Sequence, residues 1–196
     1  GVVRISIKAG VTYRIILTEL PDGYAAKAEY LFKTPTVNID ITPLASPEDH
    51  SNAMYTVGSK LLDFSLSDIG GNTYVLSELM KEKKLIIVDF WYVDCTPCKD
   101  EFPFFQKAVE KYGDQIALLA VNPFDNQTAI QNLRKKFPDI TFPMITDSCH
   151  LSQGFSVSAF PTTVFIGPDG YVLDIHTGVY PTAEHLFADV SKYLNQ

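Results

Sequence analysis

The stretch Val88-Asp-Phe-Trp-Tyr-Val-Asp-Cys-Thr-Pro-Cys-Lys99 decides how this chain of 196 residues is read. An apolar run from Leu85 to Val93, rich in β-branched and aromatic residues, predicts a buried strand. Residues Cys95–Tyr112 have helical length, so the strand hands over to a helix at the two cysteines. Cys95 then sits at a helix N-terminus, where unpaired backbone N–H groups and the helix dipole favour a thiolate. Such a position can lower a cysteine pKa from about 8.5 into the range of about 3.5–7.5. Cys98 follows one turn later on the same helical face, so the two sulfurs can bond. Cys95, the outer thiol, is expected to attack a substrate disulfide, and Cys98 to resolve the mixed disulfide. Pro97 suits the first helical turn, where its missing N–H costs little.

Two blander readings compete with redox chemistry. A zinc site needs further ligands, and Cys149-His150 are adjacent and poorly placed to share one ion with the pair. An inert structural disulfide is the other. Cys149 itself reads as a buried structural thiol, with a resolving or mixed-disulfide role as the alternative. His50, His150, His176 and His185 are scattered and suggest neither ligand nor base.

Asp89 interrupts the apolar strand. Alternation puts it on one face with Ile87 and Trp91, so burial should raise its carboxyl pKa and suit it to exchange a proton with the inner thiol. The alternative is an acid merely satisfied by hydrogen bonds, but functional sites collect such perturbed groups. Trp91 reads as a core aromatic, a cap over the dithiol, or both.

Around this stretch, residues 57 onward alternate strand and helix. Phe64–Leu66 and Thr73–Val75 flank Gly70-Gly71, and Ser77–Met80 looks like a helical turn. Ile116–Val121 reads as a buried strand, Asn126–Phe137 as an amphipathic helix stopped by Pro138, and Met144–Thr146 as a short strand. Leu151–Phe155 suggests a short helix, Thr162–Ile166 and Tyr171–Thr177 a hairpin, and Thr182–Leu194 a closing helix. The fold class expected is α/β, a mixed sheet between helices.

Residues 1 to 44 read as strands only: Val2–Ile7, Val11–Leu20, Ala25–Phe32 and Thr36–Leu44. Residues 45 to 56 are polar, lack periodicity and look like a linker. The chain opens on Gly1 and runs straight into strand-like sequence, so it is expected to be cut from a longer protein, and the missing targeting segment carries no weight. Hydrophobic residues make up 46% and charged residues 20%, as in ordinary globular proteins, and the net charge is −7. That charge argues against nucleic acid or an anionic membrane as partner, and no apolar run approaches the roughly 20 residues a membrane helix needs.

Two resemblances add to this reading. With Asp89 six residues before the first cysteine, Trp91 four before it, Lys99 after the second and Pro103 five beyond, the segment resembles thioredoxin. The wider stretch, from Val57-Gly58 through Phe64-Ser-Leu66 to Cys98-Lys-Asp-Glu-Phe-Pro103, is more similar to extracytoplasmic TlpA-like and ResA-like proteins of the redoxin (AhpC/TSA-type) group. The strand and helix Ile116 to Phe137 match the insertion that group carries. Covering residues 57–196, the resemblance implies a thioredoxin fold, protein thiol or disulfide substrates, a redox partner protein, no cofactor or metal, and a monomer outside the cytoplasm. It also implies that Pro161 is cis and faces the dithiol, leaving the backbone of Phe160 free to pair with an extended substrate. Trp91, Thr96, Pro97 and Phe160 would contact substrate. Phe160 departs from the small or aliphatic residue usual before that proline, and Asp94 stands where many relatives have tryptophan. Separately, Tyr13, Thr18, Pro21, Gly23 and Tyr24 resemble the closing strands of prealbumin-like (Cna-type B) surface modules. That family's isopeptide-promoting glutamate would fall at Leu17, so the chemistry is not expected here.

The leading function is dithiol–disulfide exchange. The Thr-Pro dipeptide and Asp89 favour a reductant, nearer about −270 mV than about −120 mV. A peroxiredoxin-type peroxidase is a second reading, but the threonine expected three residues before its cysteine is Tyr92 for Cys95 and Cys95 for Cys98. A surface adhesion or interaction module with an incidental redox domain is the third.

Overall fold

The computed structural model describes residues 12–17, 39–44 and 53–195. The chain divides into two units, residues 1–52 and 53–196. In the first, strands β1 (Thr12–Leu17) and β2 (Ile39–Leu44) pair antiparallel, Thr12 opposite Leu44. The expected strands Val2–Ile7 and Ala25–Phe32, and most of the prealbumin-like match beyond Leu17, lie outside the described residues.

The second unit begins before the linker was expected to end. Tyr55 is buried, its N–H donates to Gly154 O at 3.0 Å, and its ring packs 5.2 Å from that of Phe155. An aromatic side chain with this much apolar area gains by leaving water, which pulls residues 53–56 onto the domain.

Strand β5 (Leu85–Phe90) is the spine of this unit. All six of its residues are buried, as the uninterrupted Leu-Ile-Ile-Val run requires of a central strand covered on both faces. It pairs parallel with β6 (Ile116–Asn122) and antiparallel with β8 (Thr162–Ile166). With β7 (Met144–Thr146) and β9 (Val172–Thr177) the sheet runs β7-β6-β5-β8-β9. A small hairpin, β3 (Ser65–Ser67) and β4 (Thr73–Val75), is joined to it by an Asp68–Ile145 bridge.

Side-chain alternation along β5 divides the core in two. Leu85, Ile87 and Trp91 enter one layer with Phe102 and Phe105 of α2 (Thr96–Tyr112), Ile130 of α3 (Gln127–Arg134) and Leu186 of α5 (Ala183–Leu194). Ile86, Val88 and Phe90 enter the other, against Leu66, Leu76 of α1 (Leu76–Glu82) and Leu151 of α4 (Leu151–Gly154). Each such aliphatic side chain contributes about 1.5–3 kcal/mol by burial. Helix α2 ends at Gly113, whose φ of +51° lies in the left-handed region that suits glycine.

Candidate active site

The ladder of β5 stops at Phe90. One more backbone bond, Trp91 N–H to Val121 O at 3.1 Å, holds the chain to the sheet before it turns. Cys95 N–H closes the turn on Tyr92 O at 3.1 Å, and Lys99 Nζ donates across it to Val93 O at 2.9 Å. Cys95 thus becomes the N-cap of α2, with Thr96 and Pro97 in the first turn and no acid in that turn to cancel the dipole. The Cys98 N–H donates to the Cys95 sulfur at 3.2 Å. A backbone donor aimed at that atom is the arrangement that stabilises a thiolate once the pair is reduced.

Cys95 and Cys98 form a disulfide with Cα atoms 5.4 Å apart, as their spacing allowed. Both are buried, while Asp94, Thr96, Pro97 and Asp100 beside them are exposed. The Phe160–Pro161 bond is cis. Since Phe90 pairs with Thr162, Pro161 lies beside the point where β5 gives way to the dithiol turn. Phe160 reaches the same turn, its ring 5.4 Å from that of Tyr92.

Trp91 is not a substrate contact in this structure. It is 0% exposed, packed edge-on to Phe102 at 5.2 Å, with its Nε1 buried and unpaired. It faces inward because it continues the alternation of Ile87 and Asp89. Cys149 departs from expectation in the other direction, being exposed and unpaired in any disulfide. Partial desolvation of its sulfur and the Asp147 carboxylate 4.0 Å away push the thiol up to about 11. Its loop is shaped by Asp147, which caps α4 by accepting the N–H groups of Leu151 and Ser152.

Asp89 is buried among the apolar residues of the dithiol layer. Its Oδ1 accepts from Thr163 Oγ1 at 3.3 Å, directly opposite on β8, and its Oδ2 has no partner. Burial raises its pKa well above the usual carboxylate range, and the Glu101 carboxylate adds to the rise. The like charge acting on Asp89 in this oxidised structure is therefore Glu101, which adds to the burial that the sequence suggested.

Glu101 escaped the sequence reading. It is 0% exposed on α2, burial pushes its pKa up to about 7, and its Oε2 accepts Tyr180 N–H at 3.0 Å. Its Oε1 has no partner. The signal was its position three residues after Cys98, on the stripe that carries Phe102, Phe105 and Ala108 into the core. A polar seam extends from it: Tyr180 stacks on His176 with rings 4.1 Å apart, and His176 pairs with Thr163 across β8 and β9.

A cleft of about 500 Å³ opens at the other end of the sheet, against Tyr74, Leu79, Ile116 and Phe142. Because β5 and β6 run parallel, the start of β6 is remote from the dithiol, and the cleft has no part in its chemistry.

A mixed five-stranded sheet between helices, with a disulfide at the N-terminus of the helix that follows its central strand, defines a thioredoxin-fold thiol-disulfide oxidoreductase. The chain belongs to the AhpC/TSA family, which its residues 57–175 match. It is 30% identical over 130 residues to the thioredoxin-like protein YneN of Bacillus subtilis, covering 65% of this chain and 75% of that one. To the thiol-disulfide oxidoreductase ResA of the same organism it is 32% identical over 123 residues, covering 62% and 67%. Among solved structures, a putative thiol:disulfide interchange protein DsbE from Chlorobium tepidum superposes with a TM-score of 0.64 at 26% identity, over 71% of this chain and 99% of that one. StoA from Bacillus subtilis superposes with a TM-score of 0.55 at 26% identity, over 69% and 97%.

Proposed function

We propose that the protein reduces disulfides of extracytoplasmic protein substrates, with Cys95 as nucleophile and Cys98 as resolving thiol. The observation that carries this is the Cys95–Cys98 disulfide at the cap of α2, backed by two buried carboxyls. The Cys95 thiolate attacks one sulfur of a substrate disulfide and expels the other as a thiolate. Cys98 then attacks Cys95 Sγ and releases the second substrate thiol, closing the Cys95–Cys98 bond. Two electrons pass to the substrate, and a partner protein returns them.

Asp89 and Glu101 take and return the proton that Cys98 must lose to attack. Both face the layer that holds Cys98, and each keeps one oxygen free of any donor. A carboxyl with a pKa near neutrality is matched to that exchange. The reductant direction follows from charge. DsbA is a strong oxidant because its reduced form is stabilised, whereas here the exposed Asp94 carboxylate next to Cys95 works against the thiolate that the helix N-terminus favours. Pro161, Thr96, Pro97 and Phe160 form the substrate-facing rim. The protein works as a monomer outside the cytoplasm, as the TlpA/ResA resemblance implies, and no helix of the described residues is long and apolar enough to cross a membrane.

The test is reduction of an insulin-type disulfide by the pre-reduced protein, with Cys95→Ser as control. Activity in wild type and none in the variant supports the reading. Equal rates overturn it. Equilibration with glutathione then gives the potential, and a value near that of DsbA would reverse the direction.

A further inference from the structure

Three aromatic rings from three separate segments meet at the edge of the dithiol turn. Tyr92 lies 5.8 Å from Phe124 and 5.4 Å from Phe160, and Phe124 lies 5.3 Å from Phe160. Tyr92 belongs to the turn itself, since its carbonyl accepts the Cys95 N–H, and Phe160 precedes Pro161. Phe124 comes from the loop after β6 and is 68% exposed, the most a large apolar side chain reaches among the described residues alongside Leu62.

That exposure is maintained by design of the loop. Asn122 is 1% exposed, and its Oδ1 accepts the N–H groups of Phe124 (3.0 Å) and Asp125 (2.8 Å). Asp125 Oδ2 accepts from Asn122 Nδ2 at 3.0 Å and from Val93 N–H at 2.7 Å, two residues before Cys95. The loop is thus tied to the dithiol turn by a charge-assisted bond, and the ring it carries is held in water without collapsing into the core. An exposed apolar surface fixed beside a reactive group costs solvation unless something covers it in use.

The geometry points to Tyr92, Phe124 and Phe160 as a docking platform for an extended client segment that bears a large apolar side chain, aromatic or aliphatic, within two residues of its reactive cysteine. The inference rests on the disulfide-reductase reading and names its substrate class. Continuity with the dithiol selects this occupant: Cys95 is 2% exposed, so a chain seated on the rim gains by holding its sulfur against a target that offers little open surface. Asp94 and Asp100 are exposed there and form no salt bridge among the described residues, so the segment is neutral or basic beside its anchor. An acidic segment would meet repulsion.

The experiment compares the pre-reduced protein on two peptide disulfides that differ only in Phe or Gly next to the cysteine, with oxidised glutathione as a third substrate. The fluorescence of Trp91, the chain's one tryptophan, follows each reaction. Wild type should react with the Phe peptide about five- to tenfold faster than with the Gly peptide, the scale of one aromatic contact. Phe124→Ala should bring that ratio close to one, whereas Leu62→Ala, equally exposed but elsewhere, should leave it unchanged. Equal rates on both peptides, or a ratio that survives Phe124→Ala, overturn the platform while glutathione reduction keeps the reductase reading intact. Inertness toward all three substrates overturns both.

Discussion

Asp89 and Glu101 place two carboxyl groups in one apolar layer, where burial penalises both and the Glu101 carboxylate further raises the cost of ionising Asp89. Asp89 leans on Thr163 and Glu101 on the backbone of Tyr180, so each carboxyl accepts from a single donor and keeps its second oxygen unpaired. Protons lost from such a pair belong to the pair and not to either residue.

The proton-exchange role assigned to this pair has a kinetic signature. Asp89→Asn should slow release of substrate from the mixed disulfide more than it slows first attack by Cys95, within the 10²- to 10⁴-fold range of general acid–base effects. Stopped-flow reduction of a model disulfide from pH 5 to 9 separates the two steps. Superimposable profiles would make Asp89 structural.

Stability should depend on pH through Glu101. Its pKa is raised from 4.5 to about 7, so between those values the folded chain holds a proton that the unfolded chain releases. The contribution is fully present below about pH 4.5, declines as pH rises through 7 and is flat above. The shift corresponds to roughly 3 kcal/mol. Glu101→Gln keeps an acceptor for Tyr180 and should make the fall of urea-unfolding free energy between pH 5 and 8 shallower than in wild type, the slope that remains coming from Asp89, whose raised pKa acts in the same sense.

Cys149 should be a slow thiol. With its pKa near 11, alkylation of the oxidised protein by iodoacetamide should accelerate about tenfold per pH unit from 7 to 10, in step with the thiolate fraction. Peptide mapping by mass spectrometry gives the rate. A pH-independent fast reaction would contradict the environment described for this sulfur.

Asn122→Ala should cost about 1–3 kcal/mol, because it strips acceptors from two backbone N–H groups and a donor from Asp125. Urea melts of the oxidised variant measure this, and a change below about 0.5 kcal/mol would mean that water replaces the amide without loss.

Much of the second unit was legible because its signals are local. The hairpin strand β8 and the short β7 begin and end where composition put them. Strand β5 was read three residues too long: Trp91, Tyr92 and Val93 keep a strand-like composition, but the Cys95 to Tyr92 turn takes them off the ladder. Helix α3 was read as reaching Phe137 and stops at Arg134. Its pattern continues in tighter turns, and the Arg134 guanidinium donates to the carbonyls of Phe137 and Ile140 instead of letting the helix run on. Cys95, Cys98 and Asp89 were visible as motif. Glu101 and Phe124 were not, since one looks like a surface helix acid and the other like a loop residue. Only the packing of α2 against β5 and the Asn122 bonds assign them a place.

Because β5 is hydrogen-bonded along both edges, the strand that leads into the dithiol turn is held in place by the sheet. Amide deuteration should fill late along Leu85–Phe90, just before the turn that carries the reactive sulfur. Opening and closing of the sulfur bridge therefore has no lever to pull. The redox change must be absorbed within the turn and the first coil of α2, and a partner that reads the redox state must read it there.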